Sequence, residues 1–101
     1  METMDLKALR CPYAMSIVRR AIASATDSKF VGMVEVKTIE KELHQHILTV
    51  INSEQYNITV ASSETEVLDE ALKASWIASG DAHDGDLVGV SNRHAITLRF
   101  F

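Results

Sequence analysis

From Pro12 the apolar residues fall at helical spacing. Ala14, Val18, Ala21, Ile22 and Ala25 lie at i, i+4, i+7, i+8 and i+11, a single stripe along a helix. The pattern predicts a helix over 12–26, with Pro12 at the first position, where a missing N–H costs no hydrogen bond. Arg19 and Arg20 fall on its polar flank. Upstream, Asp5 to Arg10 alternates Leu6 and Ala8 with Lys7 and Leu9 and reads as a first strand. Downstream, 31–38 is rich in β-branched residues and alternates Val34 and Val36 with Glu35 and Lys37, which predicts a second strand.

Helical spacing returns at Ile39, Leu43, Ile47 and Val50 and predicts a helix over 39–53. Glu40 and Glu42 would sit in its first turn, where the macrodipole favours carboxylates. Tyr56, Ile58 and Val60 alternate with Asn57, Thr59 and Ala61, giving a third strand over 56–61. The run Ser63, Glu64, Thr65, Glu66 has the form of a capping box. It precedes Leu68, Leu72 and Trp76, which predict a third helix that Gly80 would stop. Residues 81–92 read as loop, with 87–90 as a possible short strand. Ile96, Leu98 and Phe100 alternate with Thr97 and Arg99 in a last strand over 94–100.

The order β-α-β-α-β-α-β, with strands apolar on one face only, points to an α/β (α+β) two-layer sandwich. It would hold a mixed four-stranded sheet with helices on one face. A length of 101 residues suits one domain over 1–101 and is short for two. Net charge is −4, from 10 basic and 14 acidic residues, which argues against a nucleic-acid footprint. No stretch approaches the roughly 20 apolar residues of a membrane span. The first residues lack the basic and apolar regions of a secretory signal, so a cytoplasmic location is expected.

Candidate chemistry centres on Cys11, the one cysteine. It can form no internal disulfide and supports no cysteine-rich metal site. Two readings remain, a small buried hydrophobe or a reactive thiol. Cys11 directly precedes the helix-starting Pro12, where unpaired backbone N–H groups and the helix dipole favour a thiolate. Arg10 is adjacent in sequence and would add positive potential. A thiolate is the form that attacks a disulfide or persulfide sulfur.

The run Asp5, Leu6, Lys7, Ala8, Leu9, Arg10, Cys11, Pro12, Tyr13, Ala14 resembles the signature of the TusA/SirA-like family. That signature reads Asp-x-x-Gly-x-x-Cys-Pro-x-Pro. Val18, Arg19 and Arg20 fall where relatives carry Val-Arg-Lys. The resemblance covers roughly residues 4–61 and the last strand. It implies a sulfur carrier that holds sulfane sulfur as a persulfide on Cys11, supported by Pro12, Arg10 and Asp5. The implied partners are a donor of the cysteine desulfurase or rhodanese type and an acceptor protein. No cofactor, metal, nucleic acid or membrane is implied. Ala8 and Ala14 replace the family's glycine and second proline, and residues 63–93 form an insertion of helix and loop. These departures suit an alternative, a diverged non-catalytic regulatory or interaction module with the same fold. A thiol-dependent redox protein is a third reading and would need an external thiol.

Other polar groups read as solvated. His44 and His46 lie two apart on a helix and point away from each other. Asp81, His83, Asp84 and Asp86 lack the distal glutamate of a calcium loop. His94 opens the last strand, where a Cys–His pair with Cys11 is conceivable in principle. Trp76 falls on an apolar stripe and belongs to a core.

Overall fold

The computed structural model describes residues 1–101. Its elements are β1 (Glu2–Asp5), α1 (Tyr13–Asp27), β2 (Gly32–Thr38), α2 (Leu43–Ser53), β3 (Ile58–Val67), α3 (Glu70–Ala78) and β4 (Asn92–Phe100). The strands form one mixed sheet in the order β1-β2-β4-β3. β1 runs parallel to β2, and β4 lies antiparallel to both β2 and β3. This is the two-layer α/β sandwich that the hydrophobic pattern implies.

Strand alternation separates the two faces of the sheet. Val36, Ile58, Ile96, Leu98 and Phe100 form a main core with α1 (Ala14, Met15, Val18, Ile22) and α2 (Leu43, Ile47, Val50, Ile51). The opposite phase is polar and held by ions. Glu66 accepts from Nε of Arg93 at 2.9 Å, and Lys37 stands 3.6 Å from Glu66 and 3.7 Å from Glu35. Arg93 also reaches Asp5 at 3.7 Å. Ala95 and Thr97, paired across from Lys37 and Glu35, lie buried between these long side chains.

All three helices stop the same way. In α1 the amides of Lys29 and Phe30 donate to the carbonyls of Thr26 and Ala25. In α2 those of Gln55 and Tyr56 donate to Asn52 and Ile51, and in α3 those of Gly80 and Asp81 donate to Ile77 and Trp76. This is the Schellman arrangement, with Lys29, Gln55 and Gly80 at positive φ.

Three boundaries differ from the sequence reading. The first strand is Glu2–Asp5 rather than Asp5–Arg10. After the amide of Leu6 donates to Lys37, the Asp5 carboxylate accepts the amide of Lys7 at 2.9 Å and folds the chain into a turn. Lys7 takes the positive φ, 51°, so Ala8 is free of that demand and buries its methyl group. α2 begins at Leu43, because the Thr38 hydroxyl accepts the amide of Glu40 and keeps 39–42 in a turn. Glu40 and Glu42 therefore precede the helix. Finally, Ser63 to Glu66 are strand, since β3 pairs with β4 through Val67. The actual cap is Asp69, whose carboxylate accepts the amide of Leu72 at 2.8 Å.

Residues 68–91 link β3 to β4 through α3 and two loops, within the 63–93 segment that the resemblance reads as an insertion and that keeps that label below. Leu68, Trp76, Ala82 and Leu87 build a second small core against Ala8 and Ile39, off the end of the sheet where β1 and β2 finish. Two polar ties pin it to the loop after β1. Nζ of Lys7 donates to Asp81 at 2.7 Å, and a guanidinium nitrogen of Arg10 donates to the Asp86 carbonyl at 3.4 Å.

Ile47 is fully buried beneath the sheet, so Ile47→Ala is expected to destabilise the fold by about 2–5 kcal/mol in urea denaturation. The Lys7–Asp81 tie sets a pH window. Its hydrogen bond to Asp81 raises Lys7 above the ordinary value of 10.5, so this contribution is complete below that value and fades as pH climbs through the raised one. The bonds from Lys7 and Ser79 lower Asp81 below 3.8, so its contribution is complete above that value and fades as pH falls through the lowered one. Emission from Trp76, the one tryptophan, should report loosening of the insertion at both extremes. Asp81→Asn should weaken the pH dependence of both arms.

Candidate functional site

Cys11 is held by two neighbours that fold before it and after it. On the N-terminal side, the Asp5–Lys7 turn and the buried Leu6 and Ala8 fix the loop to the end of the sheet. On the C-terminal side, the stripe Ala14, Met15, Val18 and Ile22 anchors α1 on the core. Helical hydrogen bonding reaches back through this junction. The Arg10 carbonyl accepts the amide of Ala14 at 3.0 Å, and the Pro12 carbonyl accepts that of Ser16 at 3.0 Å. Pro12 is the N-cap, the Cys11–Pro12 peptide is cis, and no side chain caps the helix. The positive pole of α1 thus lies at the cysteine end.

The thiol is free and half-buried, packed on one side against the main core. On the other side it lines an open cleft of about 520 Å³ with Pro12, Met15, Ser16, Arg19 and His46. Arg19 and His46 are both exposed, and Arg19 makes no ion pair. A reagent entering this cleft meets a sulfur nucleophile, a guanidinium that attracts anions, and an imidazole able to carry a proton. Thiol exchange needs an accessible sulfur of this kind.

The other residues singled out in the sequence take supporting places. Pro12 starts α1. Asp5 makes the turn that ends β1 and leans on Arg93. Arg10 is occupied elsewhere. Its guanidinium donates to Glu40 at 2.9 Å and to the Asp86 carbonyl, so it staples the β2–α2 turn to the insertion. His94 lines a neighbouring cleft with Arg10 and Glu40 and is not among the residues around Cys11. His83 lies in the loop after α3, its amide donating to Asp86 at 2.9 Å. No group of three or more His, Cys, Asp or Glu residues is arranged to hold a metal ion. No helix is long and apolar enough to cross a membrane.

The sequence reading names Arg19 and His46 but does not place either beside Cys11, where the structure brings both. Pro12, Met15, Ser16 and Arg19 follow i, i+3, i+4, i+7, a second stripe of α1 that leads from the cysteine to Arg19. That spacing is a usable signal for Arg19. His46 has no such signal, because it reaches the cleft only through the packing of α2 beside α1. Comparison with protein-family models, curated proteins and solved structures returned no match. The family resemblance of Asp5 to Ala14 therefore stands on the sequence alone.

An unpaired guanidinium in the cleft should steer anionic reagents. Arg19→Glu is expected to slow the reaction of Cys11 with dianionic dithiobis-nitrobenzoate by about tenfold at low salt. The reaction with neutral iodoacetamide should change far less. Equal slowing of both reagents would mean that the substitution disturbs the thiol's accessibility rather than its field.

Proposed function

We propose that this chain is a sulfur carrier. Cys11 accepts sulfane sulfur as a persulfide and passes it to a partner protein. The observation that carries this reading is a free, half-buried thiol lining an open cleft at the start of a helix, within a signature that resembles the TusA/SirA-like family.

The chemistry balances without any cofactor. The Cys11 thiolate attacks the outer sulfur of a donor persulfide and forms a new S–S bond. The donor's own S–S bond breaks, and its inner sulfur leaves as a thiolate that takes up a proton. Transfer to an acceptor thiolate repeats the exchange and regenerates Cys11. Each step is sulfur-to-sulfur displacement with no net change in redox state. Access for two different protein partners in turn requires an open site. The donor class is a cysteine desulfurase or a rhodanese, and the acceptor is the next protein of the relay.

A non-catalytic interaction module is the second reading. Its support is the insertion, whose Trp76 core binds to the loop leading into Cys11. Loading separates the two readings. After incubation with a cysteine desulfurase and cysteine, intact-mass spectrometry should show one added sulfur on the wild-type chain. Cys11→Ser should show none. Absence of any adduct on folded wild-type chain, with desulfurase and rhodanese donors alike, would leave the interaction module as the reading.

A further inference from the structure

Residues 68–91 bury their apolar side chains apart from the main core. Leu68, Trp76, Ala82 and Leu87 take only Ala8 and Ile39 from outside the segment into their cluster. No residue of 68–91 belongs to the main core. Two polar bonds complete the attachment, from Nζ of Lys7 to Asp81 at 2.7 Å and from Arg10 to the Asp86 carbonyl at 3.4 Å. At the base of the segment, the amide of Leu68 donates to the Ser91 carbonyl at 2.9 Å. That bond lies just beyond the last β3–β4 pair, Val67 with Asn92.

This attachment is thin. Every ordered residue costs conformational entropy, and along the segment only those four side chains are buried to offset it. Within α3, Trp76 alone is buried. The main core buries 14 residues. Because β3 and β4 hold the base together, the segment can leave its seat without breaking the sheet. A unit with its own small core and a closed base opens cooperatively, below the free energy of global unfolding.

What opening removes falls on the loop that delivers Cys11. Ala8 loses the cover of the small core, Lys7 loses Asp81, and Arg10 loses the Asp86 carbonyl. Leu6 stays in the main core, and Arg10 keeps its bond to Glu40. Residues 7–10 are then free between fixed ends, and the half-buried thiol beside them loses the constraint that seats it.

We infer that residues 68–91 act as a strap on Cys11. Docked, the strap fixes residues 7–10 and keeps the thiol half-buried in its cleft. Open, it frees that loop and presents the sulfur to bulky reagents. The control runs through the loop, because no residue of 68–91 lines the cleft itself. It holds whatever Cys11 reacts with and does not rest on sulfur transfer.

Native-state amide exchange in sub-denaturing urea tests the opening. The amides of Lys73 to Ala82 should share one opening event, at lower free energy than the amides of Ile96 and Leu98 in β4. The amide of Leu9, which donates to the Leu6 carbonyl, should exchange with the α3 group. The reaction of Cys11 with a polyethylene-glycol maleimide tests the coupling. Trp76→Ala should raise its rate by about tenfold, because it raises the open fraction. Ile47→Val weakens the main core instead and should leave the rate unchanged. Four results overturn the inference: α3 amides that exchange only with global unfolding, a Leu9 amide that exchanges with the main core, a Trp76→Ala rate equal to wild type, or an equal rise in Ile47→Val.

Discussion

The structure depends on burying one apolar face of a four-stranded sheet beneath two helices. Val36, Ile96 and Leu98 on the sheet meet Val18 and Ile22 of α1 and Leu43 and Ile47 of α2, all almost fully removed from water. Each such side chain contributes about 1.5–3 kcal/mol of transfer free energy, more than any surface ion pair here supplies. That burial fixes the rotation of α1 about its axis. The stripe through Ala14 and Val18 faces the sheet, so Pro12, Ser16 and Arg19 turn outward beside α2, with buried Met15 between the two faces. The cleft at Cys11 follows from core packing and needs no dedicated scaffold.

The insertion adds a second, smaller core at the same end of the molecule. Trp76 and Leu87 pack on Ala8 and Ile39, while Lys7 and Arg10 tie the segment by polar contacts. The loop that delivers Cys11 is thereby held from both sides, by the main core after it and the insertion core before it. The thiol itself stays open, since no residue of the insertion lines its cleft. Ala8 is compatible with this arrangement because Lys7 takes the left-handed conformation and Ala8 contributes a buried methyl group. A larger side chain at position 8 would compete with Trp76 for the same space.

Much of the fold was legible because its helices and central strands repeat at clean periods. The stripe from Ala14 to Ala25 places α1 to within a residue at either end, and alternation through Val34 and Val36 places β2. The errors fall where a local pattern competes with a tertiary partner. Leu6 and Ala8 alternate like a strand but are buried by two different cores across a turn. Ser63 to Glu66 spell a capping box, yet β4 captures them as strand and Arg93 engages Glu66. Ile39 fits the helical stripe of α2 but belongs to the insertion core. At the candidate site, Cys11 and Pro12 could be read from the chain. Arg10 could not, because its sequence neighbour is Cys11 while its partners are Glu40 and Asp86. His46 enters only through the meeting of α1 and α2.

The central claim is that folding leaves Cys11 presented for reaction rather than sealed in a core. The most direct measurement compares the rate of Cys11 alkylation by iodoacetamide in the folded chain and in urea, at one pH near neutrality. The expected result is a folded rate within about tenfold of the unfolded one, since Cys11 lines an open cleft. A folded rate slower by roughly a hundredfold or more would contradict the account, because it would make Cys11 a structural thiol protected by burial.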